Sequence, residues 1–322
     1  MPMRKSVLGA LKVVARVRYW LVAQLVFALL AIARLLPARQ AIMVGAELGQ
    51  LLGPISGRHG LVLENLRLAF PEKSEAEIRD IARKSWRSLF RLGAEYAYLE
   101  SLIDYDPERP GEGLIEVKGE EIFRRLHERN ESCIFFSAHT GNFELLTVCA
   151  ATYGLDVTAL FRPPNNPYVA KRLLAARRTA MGHLVPSKAG AAWGLARALD
   201  KGGSVGVLVD QKFDRGVPGT FFGRPVKTNP LLPKLARQYD VPVYPARCIR
   251  LPGGRFRVEL EEAIELPRNE QGEIDINASA QLLNDIVERW VREYPDQWLW
   301  AHRRWAIREA SRSRSTGKKK AG

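Results

Sequence analysis

The segment CIFFSAHTGNFELL, residues 133–146, contains the sharpest change of local pattern in the sequence. Its first part, Cys133–Ser137, is an apolar run typical of a buried strand, whereas the part from Gly141 onward begins like a helix. A strand that passes through a glycine turn into a helix is the repeating unit of α/β folds. The segment therefore predicts a strand, a turn and a helix, with His139 at the carboxyl end of the strand.

Similar units follow along the chain. From about residue 113, short apolar runs alternate with helix-like segments, and two of the runs are rich in Val. Together they predict an α/β fold with a central, mainly parallel sheet flanked by helices. The predicted strands are Leu155–Leu160, Val205–Asp210, Val241–Ala246 and a more exposed one over Arg255–Leu266, and Ile276–Tyr294 is predicted to be a closing helix.

The region before this alternation is predicted to be helical, over residues 41 to 108. Ser74 and Glu77 have the spacing of a capping box, in which each side chain bonds the other's backbone N–H. Apolar residues then recur at helical spacing from Ile78 to Leu99.

The amino terminus contains an uncharged apolar run of 15 residues, Tyr19–Ala33, with basic residues on both sides. As a helix the run is about 22 Å long, shorter than the roughly 30 Å hydrocarbon core of a bilayer. It could cross with snorkelling arginines, lie at the interface, be a cleaved signal peptide ending at Ala31-Ile32-Ala33, or be a buried helix of a soluble protein. We favour an uncleaved N-terminal membrane-anchoring helix, because no polar stretch separates that triplet from the apolar run.

Composition restricts the partners. The 322 residues carry a formal net charge of +14, and 46% of them are hydrophobic, which is typical of a folded protein with an anionic partner. Nucleic acid, an anionic membrane and an acidic protein or substrate all fit this charge. The three cysteines, Cys133, Cys149 and Cys248, lie in apolar surroundings and indicate neither a disulfide framework nor a zinc site.

His139 and Glu144 are the strongest candidates for chemistry. Five residues apart, they would not share a face of one helix, but across a turn the carboxylate can hydrogen-bond the imidazole. Such a carboxylate fixes the tautomer of the ring and stabilises its protonated form. Backbone N–H groups at the start of the following helix can bind an anion or a developing oxyanion. The turn therefore predicts His139 as a general base and Glu144 as its partner.

Two competing motifs are weaker. Gly202–Gly206 matches the G-x-S-x-G pattern of serine hydrolases, but in that motif a strand precedes the serine, whereas here the strand follows Ser204. A metal site would need a third ligand near His139 and Glu144, and none stands at a suitable spacing. We therefore predict neither a nucleophilic serine nor a bound metal.

Three further segments are expected near the same edge of the sheet. Arg162 lies in a proline-rich loop after a predicted strand, where it could bind an anionic substrate. Asp210 and Gln211 follow another strand, and Phe221–Pro225 presents two aromatic residues and Arg224 in a loop. These residues suit a substrate wall, although aromatic residues also commonly pack their own loops.

At these residues the sequence resembles the late acyltransferases of lipid A biosynthesis, the lauroyl and myristoyl transferases of the lysophospholipid acyltransferase superfamily. The resemblance covers roughly residues 10 to 306 and includes several blocks in the family's order. These are Glu64–Glu72, His139–Glu144, Arg162–Pro167, Asp210-Gln211 with Phe221–Gly223, and Tyr294–Trp305.

The resemblance implies transfer of a fatty acyl group from acyl carrier protein to a hydroxyl of a lipid A precursor, at the cytoplasmic face of a bacterial inner membrane. It implies that His139 is the general base and that Glu144 orients it, with no metal, no cofactor and no nucleic acid involved. The implied substrate-binding residues are Arg162, Asn142, Asp210, Gln211 and Arg224.

The implied organisation is a membrane anchor over residues 1–40, an acyltransferase domain over 41–310 and a disordered basic tail over 311–322. Within the domain, a helical part covers 41–112 and an α/β part 113–305. Two alternatives remain open: acylation of another hydroxylated membrane lipid or lysophospholipid, and a non-enzymatic basic protein that binds membranes.

Overall fold

The structure is a computed structural model that describes residues 2–98, 105–106, 108–109, 112–161, 165–178, 183–187 and 190–305. The predicted basic tail over 311–322 lies outside these residues. The strands are β1 (Ile115–Lys118), β2 (Ile134–Ser137), β3 (Val157–Phe161), β4 (His183–Pro186), β5 (Ser204–Leu208), β6 (Val217–Phe221), β7 (Arg224–Thr228), β8 (Val243–Arg250) and β9 (Phe256–Leu260).

Seven of these strands form one sheet in the order β1-β9-β8-β2-β5-β3-β4. The pairings among β8, β2, β5, β3 and β4 are parallel, whereas β9 runs antiparallel to β8. The predicted mainly parallel sheet is therefore confirmed. The strand expected to be more exposed, β9, is largely buried, because β8 and β1 cover both of its edges and Phe256 and Val258 pack in the core.

The helices lie around this sheet and along the amino-terminal region. They are α1 (Pro2–Ala33), α2 (Ala38–Leu52), α3 (His59–Ala69), α4 (Glu75–Glu95), α5 (Glu120–Arg129), α6 (Glu144–Thr152), α7 (Pro167–Arg178), α8 (Ala191–Asp200), α9 (Leu231–Tyr239) and α10 (Ile276–Glu293). The helical amino-terminal region is confirmed, but it ends with a 3₁₀ turn over Tyr96–Tyr98, and neither Tyr105 nor Asp106 is helical.

Helix α4 begins where the capping box predicted it. The Glu77 amide donates to Ser74 Oγ at 3.3 Å, and the Ser74 amide donates to Glu77 Oε2 at 2.8 Å. A cap of this kind stabilises a helix by about 1 kcal/mol. It fixes the start of a helix whose other end, at Glu95, reaches the candidate site.

Two apolar clusters pack on opposite faces of the sheet. Successive strand residues point to opposite faces, so Phe136 packs in one cluster with Trp290 of α10, and Phe135 packs in the other with Phe123 of α5. Helix α6 contributes Leu145 and Val148 to the second cluster. The helices on this second face leave room for the cavity described below.

Helix α1 contains an apolar stretch, Val13–Ala33, that is long enough to cross a membrane, with a mean hydropathy of 1.6. At 21 residues it spans about 32 Å as a helix. One side of it contacts the rest of the chain, where Asn166 Nδ2 donates to the Tyr19 carbonyl at 2.7 Å and Arg172 lies 4.8 Å from the centre of the Phe27 ring. Its exposed large apolar residues are Val13, Val14, Val17, Trp20, Leu21, Val22, Leu25, Leu29 and Ile32.

Candidate active site

The turn that carries His139 is held in a conformation that requires glycine. Gly141 has φ +56°, and a Cβ at this position would lie 2.0 Å from the Cys248 carbonyl oxygen, closer than any side chain can approach. Backbone bonds join the turn to the carboxyl-terminal segment: the Gly141 amide donates to the Gln297 carbonyl at 3.0 Å, and the Leu299 amide donates to the His139 carbonyl at 3.1 Å. The turn is therefore rigidly positioned from two sides.

Sheet register brings His139 and Asp210 together. Ser137 at the end of β2 pairs with Leu208 at the end of β5, and the two strands are parallel. The residues two positions beyond each partner therefore meet at the same edge. His139 Nδ1 lies 2.7 Å from Asp210 Oδ1, and the His139 amide donates to Asp210 Oδ2 at 2.9 Å.

Both carboxylate oxygens of Asp210 contact hydrogen-bond donors of the protein. Its relative exposure is 1%, and Trp298 Nε1 donates to Oδ2 at 2.7 Å. Burial acts to raise the pKa of this carboxyl, but the neighbouring His139, through charge and hydrogen bonds, and the more distant His302 hold that pKa well below its usual value. An ionised Asp210 accepts a hydrogen bond from the N–H at Nδ1. This favours the tautomer of His139 whose free lone pair is on Nε2.

Gln211 lies beside that second nitrogen. Its side-chain Nε2 is 3.1 Å from His139 Nε2 and can donate to it when the proton is on Nδ1. Gln211 is also part of the cavity wall, as are His139 and Glu144. Among the predicted substrate-binding residues, Gln211 therefore lies on the cavity wall beside His139 Nε2.

Glu144 occupies a different position from the one expected. It is the first residue of α6, lines the cavity, and accepts a hydrogen bond from the Tyr96 hydroxyl. The carboxylate in contact with His139 Nδ1 is that of Asp210, which had been expected to bind substrate. Asp210 instead lies behind the imidazole and does not line the cavity, because both of its oxygens face protein donors.

Asn142 and Arg224 likewise do not line the cavity. Asn142 is buried and donates through Nδ2 to Glu95 Oε2 at 3.0 Å. Arg224, which lies in the β6–β7 hairpin, donates through Nε to the Leu68 carbonyl at 2.8 Å.

The neighbouring Phe221 and Phe222 are buried against Trp298, Trp300 and Trp305, so they pack the core. Arg162 lies outside the described residues.

A buried ionic group supports the turn from behind, and sequence reasoning missed it. Glu95 is fully buried at the end of α4, where Arg250 Nη1 donates to its carboxylate and Arg91 Nε donates to it at 2.9 Å. Arg250 Nη2 also donates to the Gly141 carbonyl at 3.1 Å. Removing one member of such a buried pair typically destabilises a protein by about 3–5 kcal/mol. The only sequence signal is a glutamate near the apolar side of α4.

The candidate site opens into an apolar cavity of about 530 Å³ between α6 and one face of the sheet. Its volume is within the range of roughly 300–1,000 Å³ that is typical of small-molecule sites. His139, Glu144 and Gln211 supply polar groups to its wall, and the apolar wall includes Phe123, Phe135, Leu146, Ala150, Val157, Ala159, Gly206, Leu208 and Ala246. Several of these residues are small, which leaves space for an elongated apolar group.

The serine-hydrolase alternative is not supported. Ser204 is the first residue of β5, at the opposite end of that strand from Asp210, and its Oγ accepts a hydrogen bond from the Cys133 amide at 3.2 Å. Cys133, Cys149 and Cys248 are buried free thiols, and burial raises the pKa of Cys133 and of Cys248 to about 12. The reversed order of helix and strand predicted around Ser204 is confirmed.

The sequence is similar to known proteins over most of its length. The family profile described as bacterial lipid A biosynthesis acyltransferase matches residues 9–306. The chain is 27% identical to the lipid A biosynthesis myristoyltransferase of Escherichia coli (strain K12) over 300 residues, which cover 88% of this chain and 86% of that protein. It is 26% identical to the lauroyltransferase of the same organism over 303 residues, covering 90% and 93%, and 25% identical to its palmitoleoyltransferase over 289 residues, covering 86% and 89%.

Proposed function

Because the chain belongs to the bacterial lipid A biosynthesis acyltransferase family, we propose that it transfers a fatty acyl group from the thioester of an acyl carrier protein to a hydroxyl of a lipid A precursor. The observation that carries this proposal is the position of His139, on the wall of an apolar cavity with Nδ1 on a buried carboxylate. A base beside a cavity of this size suits a reaction that brings an apolar chain to a hydroxyl.

In the proposed reaction His139 acts as the general base. Nε2 takes the proton of the acceptor hydroxyl while the hydroxyl oxygen attacks the thioester carbonyl. The charge on Asp210 stabilises the imidazolium that forms. The tetrahedral intermediate then expels the thiolate, which receives the proton from Nε2. The new ester bond replaces the thioester bond, and no acyl-enzyme forms, so Ser204 and the three buried cysteines take no part.

The other polar residues act on the substrates. Gln211 lies where the acceptor oxygen has to approach Nε2, so its amide is placed to bind that oxygen. Glu144 and the Tyr96 hydroxyl form a polar patch on the cavity wall beside His139. For Arg162, the role proposed from sequence is to bind a substrate phosphate or the thioester oxyanion.

Charge and the amino-terminal helix support the proposed partners and location. An acidic carrier protein and a phosphorylated acceptor both complement a chain with a net charge of +14. Helix α1 has an apolar stretch of membrane-spanning length with basic residues before it, which supports an uncleaved anchor and a cytoplasmic catalytic domain. Residues 1–40 are therefore proposed to hold the enzyme at the inner membrane.

The proposal is tested by offering the purified full-length protein an acyl carrier protein thioester and candidate acceptors in mixed micelles. We expect mass spectrometry to show one added acyl group on the lipid A precursor. His139→Ala should lower turnover by about two to four orders of magnitude. Transfer to a lysophospholipid instead of the lipid A precursor would replace the proposed acceptor, and undiminished transfer by a folded His139→Ala protein would refute the proposed base.

Cells provide an independent measurement. Comparison of membrane lipids from cells with and without the protein should reveal one lipid species that differs by a single acyl group. An unchanged lipid profile would contradict the proposed activity in the cell.

A further inference from the structure

Exposed large hydrophobic side chains are concentrated in one part of the described chain. All but three of them, Phe90, Trp193 and Phe213, lie between Val13 and Ile55. Those of α1 belong to the apolar stretch of the anchor. The others continue through the link after α1, along α2 and into the 3₁₀ turn Gly53–Ile55, beyond the residues assigned to the anchor.

The buried residues of α2 are Ile42 and three small ones, Ala41, Ala46 and Gly49, whereas its other large apolar residues are exposed. A Cβ at Gly45 would lie 2.8 Å from Ala94 Cβ, and one at Gly49 would lie 2.4 Å from Phe90 Cβ, so α2 packs closely on α4 at these glycines. The opposite face, together with the turn after it, carries Met43, Val44, Leu48, Leu51, Leu52 and Ile55, all exposed. A surface helix of a water-soluble domain has the reverse arrangement, with large apolar residues facing the core.

Close packing through small residues is characteristic of helices that meet inside membranes, where large apolar side chains face lipid. The exposure of the outer residues is high, at 70% for Leu51 and 80% for Ile55. Glu47 is the only acidic residue of α2, and it forms an ion pair with Arg87. The outer face therefore has little charge that would resist entry into lipid.

The surface is continuous with α1. Helix α1 ends at Ala33 and α2 begins at Ala38, and the link between them exposes Leu35 and Leu36. Arg34 and Arg39 flank these leucines and are also exposed, which suits the headgroup level of an anionic bilayer. Only four exposed or half-buried residues, Pro37 to Gln40, and the buried Ala41 and Ile42 separate Leu36 from Met43.

We propose that residues 43–55 insert into the same lipid bilayer as α1 and form a second membrane contact. The occupant of this face is the lipid itself, because the face continues an apolar helix of membrane-spanning length and has cations at its border. This second contact rests on the membrane anchoring proposed for α1, and it does not depend on the proposed acyl transfer.

This contact fixes how the catalytic turn is placed relative to the membrane. Helix α4 packs on α2 near its carboxyl end, at Phe90 and Ala94. The same end carries Glu95, and Tyr96 follows it. Glu95 accepts a hydrogen bond from Asn142 of the catalytic turn, and Tyr96 donates to Glu144 on the cavity wall. With α2 in the bilayer, α4 holds the catalytic turn at a set distance from the lipid surface.

Fluorescent labelling of the full-length protein tests the proposal. Leu48→Cys and Glu270→Cys variants are labelled with an environment-sensitive dye and placed in vesicles of phosphatidylglycerol and phosphatidylethanolamine. The native cysteines are buried and remain unlabelled, and both substituted positions are exposed. For a face that enters the bilayer by about 5–10 Å, we expect iodide to quench the Leu48→Cys label about threefold less than the Glu270→Cys label.

A second quencher separates the bilayer from other occupants. Phospholipid spin-labelled near the top of its acyl chain should quench the label at position 48 and leave the label at position 270 unaffected. Equal iodide access at both positions would overturn the proposal. Protection from iodide without lipid quenching would assign the face to a second copy of the chain and would also overturn it.

Discussion

Two carboxylates of the candidate site, those of Asp210 and Glu144, lie in different surroundings. Asp210 is buried behind the ring, with both oxygens bound by protein donors, and it does not line the cavity. Glu144 lies on the cavity wall, where it accepts a hydrogen bond from the hydroxyl of Tyr96. The first position suits a group that orients the base, and the second suits a group that meets the substrate.

Distance along the chain therefore does not identify the carboxylate that contacts His139. Glu144 is five residues from His139, whereas Asp210 is 71 residues away. Parallel strands place their carboxyl ends side by side, so residues that follow two neighbouring strands at equal offsets meet regardless of the chain between them. This difference between the two carboxylates can be tested directly.

Asp210→Asn should have the largest effect. The neutral side chain keeps its size but no longer stabilises the imidazolium, so we expect turnover to fall by about two to four orders of magnitude with little change in KM. Steady-state kinetics in mixed micelles would measure this, with thermal unfolding as the check on folding. A loss of less than about tenfold would remove Asp210 from the orienting position.

Glu144→Gln should have a smaller effect on turnover and a clearer effect on KM. The amide oxygen can still accept from Tyr96, so the wall keeps its shape and loses its charge. We expect a loss of about tenfold in kcat/KM. A loss of about two orders of magnitude or more for Glu144→Gln, together with a loss of less than about tenfold for Asp210→Asn, would restore Glu144 as the partner of His139.

Gly206→Leu should act further down the cavity and leave both carboxylates untouched. A Cβ there meets Val157 Cγ1 at an ordinary 3.5 Å, so the backbone tolerates it while the rest of the side chain enters the cavity. We expect the rate with long acyl donors to fall about tenfold relative to short ones. Gly60→Leu, at an exposed position of α3 with open space around it, is the control. Equal rates across chain lengths would show that the acyl chain lies elsewhere.

His302→Gln should have the smallest effect, and only on stability. Burial lowers the pKa of His302, partly offset by the charge of Asp210. Between that lowered pKa and the unfolded value of about 6.5, the unfolded chain binds more protons, so the free energy of unfolding decreases as the pH falls through this range. We expect the variant to lose less stability than the wild type between pH 7 and 5 in thermal unfolding. If the stability of the variant and of the wild type changed equally with pH, the lowered pKa of His302 would be contradicted.

Local patterns predicted much of the fold. The strand, turn and helix around His139 and the capping box at Ser74 depend on neighbouring residues, so they can be read directly from sequence. The order of helix and strand around Ser204 was predictable for the same reason.

Long-range contacts were not predictable in this way. The pairing of His139 with Asp210 depends on β2 lying beside β5, although β3 and β4 come between them in sequence. The contact of Glu95 with Arg250 joins residues 155 positions apart. The cavity arises from small residues on separate elements, among them Ala150, Ala159, Gly206 and Ala246, none of which is distinctive alone.

The apolar wall of the cavity also determines where the product can leave. Drawing an acyl chain from this wall into water costs about 0.8 kcal/mol for each methylene, whereas moving it into the hydrocarbon of a bilayer replaces one apolar environment with another. Dissociation into water therefore becomes steeply slower as the chain lengthens, and dissociation into lipid does not. An enzyme with this cavity turns over efficiently only where the exit from the site meets a membrane.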